Sequence, residues 1–147
     1  MRKEVRQVSE PFEDLKADLG FLDEWEDRYR YIIDLGKELE PLAEAERTDA
    51  QKVRGCASQV WLATDKAAGG DANPVLHFRG DSDAHIVRGL IAVLIRLYSD
   101  KRASEILEID AKSALSDLGL SDQLTPQRSN GLFSMVERIR KDAAAAC

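Results

Sequence analysis

The residue with the most chemical reach in this sequence is Cys56, within Val53-Arg54-Gly55-Cys56-Ala57-Ser58-Gln59-Val60-Trp61. A thiol is a nucleophile only as its thiolate, so it needs a lowered pKa or a base beside it, together with partial exposure. Arg54 is a cation close in sequence, although side chains at i and i+2 need not meet. A free cysteine is more often a small buried hydrophobe than a reactive group, and the local sequence leaves both readings open. The second cysteine, Cys147, has no motif around it. His77 and His85 are eight residues apart, and no C-x-x-C, H-x-x-x-H or carboxylate cluster has metal-ligand spacing. No metal and no cofactor of the chain's own is expected.

The elements around Cys56 follow from periodicity. Gln51-Lys52-Val53-Arg54 alternates polar and apolar residues and predicts a short strand at about 51–54. Ser58 to Asp65 predicts a second, and Val75 to Arg79 a third. Cys56 would then occupy the turn between the first two strands, with Gly55 free to take positive φ. Ala68 to Pro74 reads as a turn. Three consecutive strands joined by short connections predict an antiparallel meander.

Helices account for the rest. Pro11 suits a first helical position, with Phe12, Leu15 and Leu19 at helical spacing and Gly20 as a stop. Residues 1–10 are expected to be frayed. Asp23 and Glu26 approximate a capping box for a helix from about 24 to 39 that buries Trp25, Tyr29, Ile32 and Ile33 and ends before Pro41. Asp81-Ser82-Asp83 reads as the cap of a helix spanning Ile86 to Tyr98, apolar around nearly its whole circumference and so the buried centre. Gly89 costs that helix about 1 kcal/mol, which close packing against the sheet could offset. Short helices follow at 101–107 and 111–118. Thr125-Pro126 opens the last helix, whose apolar stripe is Leu132, Met135, Val136 and Ile139.

Bulk properties narrow the function. A chain of 147 residues, 44% hydrophobic and 33% charged, fits one globular domain, 1–147. Its net charge of −6 argues against a nucleic-acid partner, which would require a clustered basic face. Met1 to Glu10 is too polar for a secretory signal, and the apolar run Gly89 to Ile95 is too short to span a bilayer. Two distant cysteines make a poor disulfide framework, so a reducing cytoplasm is the expected setting and no membrane partner is expected.

Four stretches together carry a family resemblance: Trp25-Glu26-Asp27-Arg28-Tyr29-Arg30-Tyr31-Ile32-Ile33-Asp34-Leu35-Gly36, the Val53 to Trp61 stretch, Phe78 to Leu90, and Leu124 to Leu132. In this order and spacing, over about residues 12–145, the chain resembles the SufE family of sulfur-acceptor proteins, which includes the closely similar CsdE proteins. The resemblance implies an α+β fold similar to that of iron–sulfur scaffold proteins of the IscU/NifU type. It implies a pyridoxal-phosphate-dependent cysteine desulfurase, SufS- or CsdA-like, as partner and an iron–sulfur scaffold as sulfur recipient. It also implies that Cys56 is the catalytic acceptor of persulfide sulfur, and that Asp83 and Arg128 lie near the surface that meets the desulfurase. The glycine-rich 68–74 turn is long for the family.

One cysteine suffices for this chemistry, because the sulfur is accepted and then surrendered. A dithiol oxidoreductase would need a resolving cysteine nearby, and a cluster scaffold several ligands. The alternative is a non-catalytic adaptor that binds and activates an enzyme, with Cys56 only structural. A single-cysteine peroxidase lacks the basic surroundings it would need. A carrier has reason to shelter its sulfur from small thiols, so Cys56 is expected to point inward in the free protein, with a raised pKa and with Gly55 as hinge. Asp83 is expected in the first turn of the central helix, and Arg128 in the first turn of the last helix on the side of Cys56.

Overall fold

The computed structural model describes residues 3–67, 72–120 and 123–147. Among the described residues, six α-helices and a three-stranded antiparallel sheet make an α+β fold. The helices are α1 (Lys3–Gly20), α2 (Trp25–Gly36), α3 (His85–Tyr98), α4 (Ala103–Glu108), α5 (Ala111–Asp117) and α6 (Pro126–Ala146), and the strands are β1 (Val60–Lys66), β2 (Val75–Ser82) and β3 (Lys101–Arg102). The sheet order is β1-β2-β3, with β1 and β2 paired from Val60↔Ser82 to Lys66↔Leu76. Of the expected 68–74 turn, residues 68–71 lie outside the described residues.

Helix α3 is the centre, as its composition requires. Ile86, Val87, Leu90, Ile91, Val93, Leu94 and Leu97 are all buried on it, and each fully buried aliphatic side chain is worth roughly 1.5–3 kcal/mol. It packs against α2, β2, α1 and α6. The surface that explains Gly89 is α2 rather than the sheet. A Cβ at Gly89 would stand 2.1 Å from the Ile32 carbonyl oxygen, so only glycine lets the two helices approach this closely.

Several sequence expectations change here. The segment 51–54 is not a strand. It makes one bridge, Lys52↔Trp61, with hydrogen bonds from Val53 N to Val60 O (2.8 Å) and from Leu62 N to Gln51 O (2.8 Å). The third strand is instead β3, two residues that pair with the start of β2. Helix α1 runs through Pro11 rather than starting at it. Helix α2 has Glu24 at its N-cap with no side-chain cap bond, so the Asp23/Glu26 capping box does not form. Trp25 and Tyr29 meet edge to face at 5.9 Å and lie half-buried at the rim. Asp81 and Ser82 belong to β2, and α3 starts after Ala84.

The chain between α2 and the Cys56 segment is strapped across the sheet. A 3₁₀ turn, Glu44–Glu46, places Glu46 against the Arg79 guanidinium (2.5 and 2.9 Å), and Arg79 also holds Asp65 at 2.8 Å. Arg47 pairs with Asp81 at 2.5 Å and lies over the Trp61 ring at 5.0 Å. Arg88 reaches the same Asp81 carboxylate at 3.1 Å. These contacts deliver the chain to Gln51 in a fixed place.

Candidate functional site

Between Val53 and Val60 the chain leaves the sheet and turns back. Gly55 is at the tip with φ +91°, where an L side chain is strained, and a Cβ there would stand 2.4 Å from the Ser134 hydroxyl oxygen. The tip therefore rests directly on α6. Next to it Cys56 is half-buried with its side chain turned inward, and its S–H donates to the Gly131 carbonyl oxygen at 3.4 Å. Gly131 lies directly under the cysteine: a Cβ there would meet Sγ at 3.6 Å, in ordinary van der Waals contact.

The thiol looks into a cavity of about 230 Å³. Val87 and Leu90 of α3 and Leu132 and Met135 of α6 give it apolar walls, and Arg128 and Ser58 line it as well. Burial pushes the Cys56 pKa above that of an ordinary cysteine. At neutral pH the resting group is thus a neutral thiol and a slow nucleophile. The inward orientation, the raised pKa and the positive φ at Gly55 agree with the sequence expectations.

Arg128 occupies the first turn of α6, placed there by the Thr125 cap: the Thr125 hydroxyl accepts from Arg128 N at 3.2 Å, and Pro126 is the first helical residue. It lines the same cavity as Cys56. Asp83 is not in the first turn of α3. It precedes the N-cap, and its carboxylate accepts from Gln59 N at 3.1 Å, while its own N–H points back to Gln59 O at 3.4 Å. It fastens the downstream end of the Cys56 segment. The capping work assigned to Asp81-Ser82-Asp83 is divided: Ser82 Oγ accepts from Ala84 N at 3.2 Å, and Asp81 is committed to Arg47 and Arg88.

Cys147 is exposed at the end of α6. His77 lies between Asp100 (2.8 Å) and Glu40 (2.6 Å), and neither histidine lines the Cys56 cavity.

Sequence reading missed Arg138. From α6 its guanidinium donates to Ala50 O at 2.8 Å and Lys52 O at 3.3 Å, on the upstream arm of the Cys56 segment. A signal was available: Gly131, Met135, Arg138 and Asp142 recur at helical spacing, which puts a charged pair on the face that carries the cysteine's seat.

Comparison with known proteins agrees with this architecture. The family model for SufE, described as an Fe-S metabolism associated domain, matches residues 13–143. A SufE-like protein of Rhizobium etli, itself uncharacterized, is 54% identical over 143 residues, covering 97% of this chain and 96% of the relative. Another, from Rhizobium meliloti, is 56% identical over 126 residues, covering 86% and 89%. In three dimensions the chain is similar to the solution structure of a hypothetical protein from Thermus thermophilus, with TM-score 0.71, 17% identity and coverage of 95% of this chain and 94% of that one. That likeness speaks to the fold alone. With a family model matching nearly its whole length and relatives above half identity, the chain belongs to the SufE family.

Proposed function

We propose that the protein is a sulfur acceptor that takes persulfide sulfur from a pyridoxal-phosphate-dependent cysteine desulfurase onto Cys56, stimulates that enzyme, and passes the sulfur to an iron–sulfur scaffold. The observation that carries this reading is the setting of Cys56. A half-buried thiol on a glycine-tipped turn faces a cavity with room for more than a thiol. A merely structural cysteine would fill its space.

The exchange is balanced. The Cys56 thiolate attacks the outer sulfur of the donor's persulfide, a new S–S bond forms at Sγ, the donor's S–S bond breaks, and the donor cysteine leaves as a thiolate. The proton given up by the Cys56 thiol goes to solvent or to the departing thiolate. No external oxidant or reductant is consumed. Arg128 and Asp83 are proposed as partner-facing groups, since one lines the cavity and the other holds the end of the segment that must move. On this reading the fold is of the scaffold type, the setting is cytoplasmic, and residues 1–147 act as one domain. Among the described residues, no helix is long and apolar enough to cross a membrane.

The test is mass spectrometry after incubation with a desulfurase and cysteine. The Cys56 peptide is expected to gain one sulfur, and Cys56→Ser to abolish both the gain and the stimulation. A Cys56→Ser chain that still stimulates fully would identify an adaptor instead.

A further inference from the structure

The Cys56 segment is fastened at two ends and bare between them. Upstream, Lys52 bridges to Trp61 and Val53 N bonds Val60 O. Downstream, Gln59 is held by Asp83. Among the described residues, the backbone of 54–58 has only its own tight turn at 54–55, and the thiol contact to Gly131 is the one hydrogen bond that ties this stretch to another element. The stretch free to carry the thiol out of its cavity is therefore short. Where it begins depends on what holds residues 50–53, and an isolated two-bond pairing is weak by itself.

The second support is on α6. The Arg138 guanidinium spans the carbonyl oxygens of Ala50 and Lys52, and its Nε meets both carboxylate oxygens of Asp142 at 3.2 Å. Asp142 is itself fixed by the Thr64 hydroxyl of β1 at 2.7 Å. A planar guanidinium presents five donors in a fixed fork, wide enough to reach two carbonyls and a carboxylate at once, whereas an ammonium offers three from a single point. The clamp is about two and three turns along the helix face that seats the thiol at Gly131, so a single rigid element registers both the arm and the cysteine.

We propose that Arg138, oriented by Asp142, is a positioning residue for Cys56: it ends the anchored arm at Val53 and thereby sets where the swinging stretch begins and where the thiol returns. The inference rests on the sulfur-transfer reading for its purpose, but its geometry can be tested apart from it. Arg140 supplies a matched control, because it makes the same kind of contact from the same helix, to Leu107 O at 3.0 Å, at a place remote in sequence from the Cys56 arm.

The experiment uses the full chain with Cys147→Ser, so that iodoacetamide reports on Cys56 alone. Arg138→Ala is expected to speed alkylation about tenfold, the effect of losing one or two charge-assisted hydrogen bonds. Arg138→Lys should fall between parent and alanine variant, and Arg140→Ala should react at the parent rate. A parent-like rate in Arg138→Ala, or equal acceleration in Arg140→Ala, would overturn the clamp. Should Arg138→Ala fail to fold, Arg138→Lys decides, a parent-like rate counting against the fork. Sulfur uptake from a desulfurase is measured in parallel. A parent chain that never gains sulfur overturns the transfer reading and the reaction the clamp serves, whereas an unmoved alkylation rate overturns the clamp alone.

Discussion

Two irregular stretches flank the short bridge at Lys52, and they are built in opposite ways. The strap of residues 43–50 is tied by side chains: Glu46 to Arg79, Arg47 to Asp81 and Trp61, and Ala43 N to Glu46 Oε1 at 3.0 Å. The stretch 54–58 has one weak S–H donor bond and the shape of its seat on α6. Both are loops, and both lie against the same core. Lack of regular structure therefore does not by itself mean freedom. Here the chain spends its charged residues on the approach to the cysteine and leaves the cysteine's own stretch nearly unbonded, as local stability should be distributed if that stretch is the part that moves.

The comparison breaks most sharply at Gly55. Gly55→Val forces a β-branched residue to φ +91° and into Ser134, at a cost of about 1–3 kcal/mol in the closed turn. The tip should leave α6 and Cys56 alkylation should accelerate strongly, with the melting temperature lowered by no more than about 10 °C because the strain is local and the core is untouched. An unchanged alkylation rate would mean the glycine is not what seats the thiol.

A smaller break is expected at Asp83. Asp83→Ala removes the acceptor for Gln59 N, worth about 1 kcal/mol for an exposed contact. Hydrogen exchange at the Gln59 amide should rise several-fold while amides of α3 keep their protection. If exchange rises equally throughout α3, Asp83 acts as a helix-start residue after all.

The smallest effect sharpens the contrast from the strap's side. Arg79, with the Ala43 N–H second, holds the Glu46 carboxyl at about 2, below its ordinary value near 4.5. Because the folded value is the lower one, the stabilisation is complete above pH 4.5 and is lost as pH falls through about 2. NMR of the 44–46 amides should show the strap intact at pH 4 and loosening near pH 2. Loosening already at pH 4 would show that the Arg79 pairing is weak.

Much of this was legible in the sequence where periodicity is long. Helices α2, α3 and α6 follow from their apolar spacing, and Thr125-Pro126 marks the start of α6 because a cap and a fixed φ act locally. Short pairing left a misleading trace. Gln51 to Arg54 alternates like a strand yet makes one bridge, while β3 is only two residues long, too short for any period to appear. Asp81-Ser82-Asp83 has cap chemistry, but its two carboxylates serve partners distant in sequence such as Arg47 and Gln59. The Cys56 turn was readable because Gly55 is informative by itself. For the Arg138 contact, 86 residues from Lys52, only the helix face was legible and not the partner, because pairing across that separation is set by tertiary packing.

On the proposed function, Cys56 is parked in the free protein and deployed by its desulfurase partner. The direct measurement is the alkylation rate of Cys56 in the free chain, with Cys147 replaced by serine, against its rate in complex with a desulfurase whose own active cysteine has been removed. Reaction is expected to be slow in the free chain, where burial raises the thiol's pKa and keeps it protonated, and markedly faster in the complex. A free-chain rate equal to that of an unstructured thiol, with no gain on binding, would contradict it.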